Sequence, residues 1–172
     1  MRPLVLLLSM TAAAALAGAA SAHAVRADAA QAPAASPRVT VAIGPELENR
    51  AEELGRRDID ELAEDLRRTV ERELDRSGAL AGAEVRLVLA DAKPNRPTLQ
   101  QAAGRPGLDI FRSISIGGAE IEGEVRLADG SVRPVSYDWY SNNLADVRGF
   151  STWEDADRAF DRFARRLADG RF

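Results

Sequence analysis

Cysteine is absent from the 172 residues, and histidine occurs once, as His23. Lysine also occurs once, as Lys93, and the aromatics are two tryptophans, two tyrosines and five phenylalanines. Each shortage excludes something. Without cysteine there is no disulfide, no thiol nucleophile and no lipidation through a cysteine behind a signal sequence. Zinc sites draw mainly on Cys and His, so no metal is expected. The formal charge of −4 opposes nucleic-acid binding, which calls for a basic footprint. Arginine in place of lysine, with abundant alanine, reflects a GC-rich coding bias and not arginine chemistry.

Long apolar runs are equally scarce, apart from the N-terminus. Met1–Ala24 has Arg2, an apolar run from Leu4 through Leu8, an alanine-rich stretch and small residues at Ala22-His23-Ala24. Positive start, hydrophobic middle and small-residue end are the layout of a secretory signal peptide. Cleavage after Ala24 removes His23, and then Ser–His–Asp and Cys–His triads are impossible in what remains. A cut after Ala22 is the near alternative. The apolar part is short for a span, which takes about 20 apolar residues, so no stable membrane anchor is expected. The predicted location is the periplasm or the exterior. Residues 25–37, mostly Ala, Gln, Ser and Pro, read as a flexible linker. Residues 38–172 are long enough for one domain with its own core.

Within that domain the predicted order is β-α-β-(short α)-β-β-α, an α+β fold. Val39–Ile43 is β-branched and reads as a strand closed by Gly44-Pro45. Glu46–Leu54 has a weak helical pattern. Asp58 and Glu61 have capping-box spacing, and Ile59, Leu62, Leu66, Val70 and Leu74 form one apolar stripe up to Ser77-Gly78. Ala83–Ala90 alternates as a strand. Asp91–Pro97 holds two prolines and reads as a loop, and Thr98 and Gln101 cap a short helix, Leu99–Ala103. Ala119, Ile121, Gly123, Val125 and Leu127 alternate with glutamates in a half-buried strand. Ile114 and Ile116 have the opposite parity, which predicts a bulge at Gly117-Gly118. A three-residue turn, Ala128–Gly130, pairs Gly123 with Val135 and Ile121 with Tyr137 and puts both apolar rows on one side. Pro134 marks an edge strand. Thr152 and Asp155 cap a last helix, Trp153–Ala168, with Trp153, Ala156, Phe160, Phe163 and Leu167 on one stripe. The expected architecture is a single mixed four-stranded sheet, with the two main helices on its apolar face and Glu120, Glu122 and Glu124 on a wet face.

Candidate sites are few. Pro94-Asn95-Arg96-Pro97-Thr98 is a rigid loop presenting Asn95 and Arg96; the competing reading is that both only tie the loop down. Tyr137–Asn143 joins aromatics to amides, and alternation leaves Tyr140 exposed, with Asn142 beyond it. Asn95, Arg96, Tyr140 and Asn142 are therefore the candidate binding residues, expected at one rim of the sheet. Asp91 and Asp109 read as turn caps. No cofactor is implied.

The element order from Val39 to Leu167, with the Pro-Asn-Arg-Pro-Thr loop, the Ser-Ile-Gly-Gly-Ala-Glu strand and the Tyr-Asp-Trp-Tyr ending, resembles small exported proteins of Gram-negative bacteria of unknown function. The layout is also similar to αβ domains of envelope assembly proteins such as the curli secretion channel subunit. That family brings no activity and no site residue. Many of its members are lipoproteins, and this chain lacks the cysteine that lipidation needs. Two functions stay open. One is a non-enzymatic periplasmic binding or envelope-assembly accessory module, whose partner is an envelope protein, peptide or glycan. The other is a carboxylate-dependent hydrolase or lyase acting on envelope glycan, which needs two carboxylates in a concave site.

Overall fold

The computed structural model describes residues 38–147 and 150–172; the predicted signal peptide and linker lie outside them. A single mixed sheet carries four strands in the order β1-β2-β3-β4: β1 Arg38–Ile43, β2 Glu84–Lys93, β3 Gly118–Arg126 and β4 Val132–Tyr140. β1 and β2 run parallel, and the other neighbouring pairs are antiparallel. Between β1 and β2 lie two short helices, α1 Pro45–Asn49 and α2 Ala51–Leu54, and the long α3 Arg56–Ser77. The short α4 Leu99–Gly104 follows β2, and α5 Glu154–Ala168 ends the fold.

Helix α3 exists because its apolar stripe needs a sheet to cover. Ile59, Leu62, Leu66, Val70 and Leu74 are all 0–2 % exposed, while Arg67 spans to Glu64 and Glu71 on the outer side. Gly78, left-handed at φ 69°, ends the helix, where glycine escapes the Cβ penalty. The helix begins at Arg56, two residues before the expected start, and Asp58 makes no cap hydrogen bond. The cause is Gly55: its φ of 102° lets the chain turn directly out of α2. Helix α5 lies beside α3 on the same sheet face and packs on β3 and β4. Phe160 and Phe163 are 1 % exposed, and Tyr137 lies on the Phe163 ring at 5.9 Å.

The hairpin register is the predicted one. Gly123 pairs with Val135, Ile121 with Tyr137, and Leu127 closes on Ser131. Pro134 sits on β4, an edge strand, where its missing N–H breaks no ladder. Two expectations about the strands need correction. Residues 113–117 form no strand, so Ile114 and Ile116 have no sheet parity to reset; the register shift lies instead between Leu89 and Asp91. That shift also carries β2 three residues past Ala90. It brings Ala92, fully buried opposite Ala119, onto the core face and leaves Asp91 opposite Glu120 on the other.

Gly118 opens a close approach. Its φ is 153°, and a Cβ there would stand 2.2 Å from the Trp139 carbonyl oxygen and 2.6 Å from the Tyr140 ring. The Tyr140 ring therefore lies across β3 toward β2. Its hydroxyl is 3.3 Å from Asp91 Oδ2, and the Lys93 ammonium sits 4.7 Å from the ring centre. Tyr140 is half-buried, not the exposed aromatic that alternation alone predicts.

Candidate functional site

The Pro94–Thr98 loop is held from within. Asn95 is 0 % exposed. Its side-chain amide donates to Ser115 O at 3.2 Å and to Asp155 Oδ2 at 2.5 Å, and its Oδ1 accepts the Asp155 N–H at 2.8 Å. Its backbone N–H donates to Thr152 O, and its carbonyl accepts from Ser115 N–H. Asp155 Oδ2 also accepts from Ser141 Oγ at 2.6 Å and Gly117 N–H at 3.4 Å. Gly117 leaves the room for this: a Cβ there would come within 2.7 Å of Asn95 Oδ1. Asn95 is thus an interior tie, joining the loop, the start of β3 and the start of α5, and it contributes no surface to a rim.

Asp155 is no cap either. Helix α5 carries no side-chain cap, because the carboxylate turns inward to Asn95 and Ser141. One clue in the sequence pointed this way. Asp155 is four and eight residues before Ala159 and Phe163, in the phase of a buried stripe.

Arg96 extends from this knot in the other direction. Its guanidinium donates to the carbonyl of Phe150 at 2.5 Å and to that of Phe111, fastening two loops to the rigid one. Arg96 also borders a cleft of about 760 Å³. The first turns of α3 supply Asp58, Glu61, Leu62 and Asp65 to its wall, and the start of α5 supplies Trp153 and Asp157. Leu99 and Phe111 stand at its mouth, 76 % and 80 % exposed. Tyr140 and Asn142 open elsewhere, on a pocket of about 370 Å³ with Ser141, Arg158 and Arg162. The four candidate residues therefore do not converge. Arg96 borders two clefts that Tyr140 and Asn142 do not share, Tyr140 and Asn142 line a third, and Asn95 lies inside.

The cleft has an unusual charge state. Glu61 is paired with Arg57 at 2.7 Å and Asp65 with Arg68 at 2.5 Å. Asp58 and Asp157 have no ion pair among the described residues. Burial pushes the Asp58 carboxyl up, partly offset by the Trp153 indole N–H donating toward it. Asp157 is pushed up to about 6, first by protein atoms that strip water from it and then by the like charges of Asp65, Glu154 and Asp161. Asp157 still keeps more than a third of its surface open, so water moderates that shift. Among the described residues no group of three or more His, Cys, Asp or Glu side chains is placed to hold a metal ion.

The remaining candidate carboxylates have local roles. Asp91 pairs with Arg50 at 2.6 Å inside β2, which replaces its expected role as a turn cap. Asp109 does cap its turn, accepting from the N–H groups of Phe111 and Arg112. No local pattern announces the cleft, because Asp58, Asp157, Trp153 and Phe111 line it together only through the packing of α3 against α5 and the loop after α4. No protein-family model matches the chain, and no curated protein matches it.

Proposed function

We propose that this chain is an exported, non-enzymatic binding module of the bacterial envelope that receives a partner in the cleft between α3, α5 and the Arg96 loop. The observation that carries the reading is the pair Leu99 and Phe111. Two large apolar side chains stand almost wholly in water, at 76 % and 80 % exposure, on the mouth of one concave site. Exposed apolar surface beside a cleft is a mark of interaction sites. The signal-like Met1–Ala24 segment supports export, and the lack of histidine and cysteine beyond it supports a non-catalytic role. A photo-crosslinking residue at position 111 should capture a periplasmic partner, and one at Ser136, on the outer sheet face, should not. Leu99→Asp with the position-111 crosslinker should abolish capture without changing the melting curve. Equal capture from both positions would overturn the reading.

A second reading has one observation in its favour. Asp157, with its carboxyl near 6, shares a concave site with Asp65. A carboxyl group raised toward neutrality beside a second carboxyl in a concave site is one element of glycan hydrolysis. Arg68, only 2.5 Å from Asp65, occupies that second carboxyl, which is why binding is the preferred function. Release of reducing ends from envelope glycan, lost in Asp157→Asn, would establish the hydrolase instead.

A further inference from the structure

Resting on the binding reading above, we infer that the occupant of this cleft is a basic polypeptide segment, with a Lys or Arg side chain entering between Asp58 and Asp157 over Trp153 and an adjacent apolar side chain seated on Leu99 and Phe111.

The charge of the lining selects the occupant. Four carboxylates face the cleft, from Asp58, Glu61, Asp65 and Asp157, against one guanidinium, that of Arg96. Arg96 is already committed to the carbonyls of Phe111 and Phe150. Glu61 and Asp65 already carry the guanidinium groups of Arg57 and Arg68. Asp58 and Asp157 remain without an ion pair among the described residues. An incoming cation would oppose what now disfavours their ionisation, namely lost water and like charge. An anionic headgroup or nucleic-acid phosphate would meet repulsion.

The aromatic surfaces point the same way. Phe150 at the cleft already carries the Arg158 guanidinium 4.1 Å from its ring centre, so a cation on a ring is a contact this region makes. Trp153 and Phe111 carry none among the described residues, and an indole is the best such platform. The exposed Leu99 and Phe111 give nothing to a small amine but do suit the apolar neighbours of a charged residue in a chain. A cleft of about 760 Å³ also has room for several residues and not only for one ammonium group.

The test uses the full mature chain and dye-labelled peptide pools. One pool is degenerate in Lys, Arg, Leu and Phe; its charge-reversed counterpart carries Glu and Asp; a chitin tetrasaccharide is the neutral probe. At neutral pH the basic pool should bind, more weakly as salt rises, and the reversed pool should not. The double variant Asp58→Asn/Asp157→Asn should weaken binding by about tenfold, and Phe111→Ser should weaken it without loss of fold. Equal binding of both pools, or an unchanged affinity in the double variant, would overturn the inference. If only the neutral sugar binds, and Phe111→Ser abolishes it, the cleft remains the partner site and the basic occupant is wrong. If no probe responds to Phe111→Ser and the partner crosslinks elsewhere, both readings fail.

Discussion

Replacing Asn95 by alanine should be among the most damaging single changes in this chain, although the side chain lies in a loop. The substitution removes hydrogen bonds to Ser115 O, Asp155 Oδ2 and the Asp155 N–H, all from a side chain with no exposure. A buried polar group left without its partner costs about 1–3 kcal/mol, with the charged acceptor at the upper end. Three such losses with partial relaxation give about 3–5 kcal/mol. Domains of this size are stable by only about 5–15 kcal/mol. Urea denaturation followed by circular dichroism measures the change directly. A double-mutant cycle with Asp155→Ala adds a sharper criterion. If the two residues form one unit, the double variant should lose much less than the sum of the single losses. A loss below about 1 kcal/mol for Asn95→Ala, or strict additivity in the cycle, would refute the view that this contact holds the loop to α5.

Three further outcomes follow from the same geometry. Phe160→Ala, at a position 1 % exposed, should cost about 3–5 kcal/mol in a urea melt. Gly118→Ala should cost at least about 2 kcal/mol, because the added Cβ meets the Trp139 carbonyl, and near-ultraviolet circular dichroism should show Tyr140 displaced. Asp157 has a carboxyl raised from its ordinary value of 3.8 to about 6, so between those values the folded state holds more protons than the unfolded one. Its contribution to stability is therefore present at low pH and lost as pH rises through that window; Asp157→Asn should flatten that part of a pH–stability profile.

Much of the fold was legible because it depends on local period and turn chemistry. The α3 stripe, the α4 capping box between Thr98 and Gln101 and the hairpin register all follow from residues near one another in the chain. The errors share a cause. The start of α3, the β2 register shift and the inward turn of Asp155 are each decided by a group distant in sequence or by one glycine at positive φ. Asp155 and Asn95 are 60 residues apart, and capping spacing cannot reveal that one has claimed the other. The candidate site suffered most. Asn95 and Arg96 were conspicuous in the sequence because they anchor structure, whereas Phe111 and Trp153 had no local signature.

The strand order in the sheet is also the order in the chain. A chain emerging N-terminus first can therefore add each new strand to the one before it, and no strand has to be inserted between two already paired. Helix α5 is the exception, since it arrives last and covers β3 and β4. Until Glu154 and the residues after it emerge, Ile121, Val125 and Val135 have no helix over them. A nascent or truncated chain ending before α5 would be an aggregation-prone species. The interval between pairing of β3 with β4 and docking of α5 is therefore the stage of folding at which the most apolar sheet surface stands uncovered.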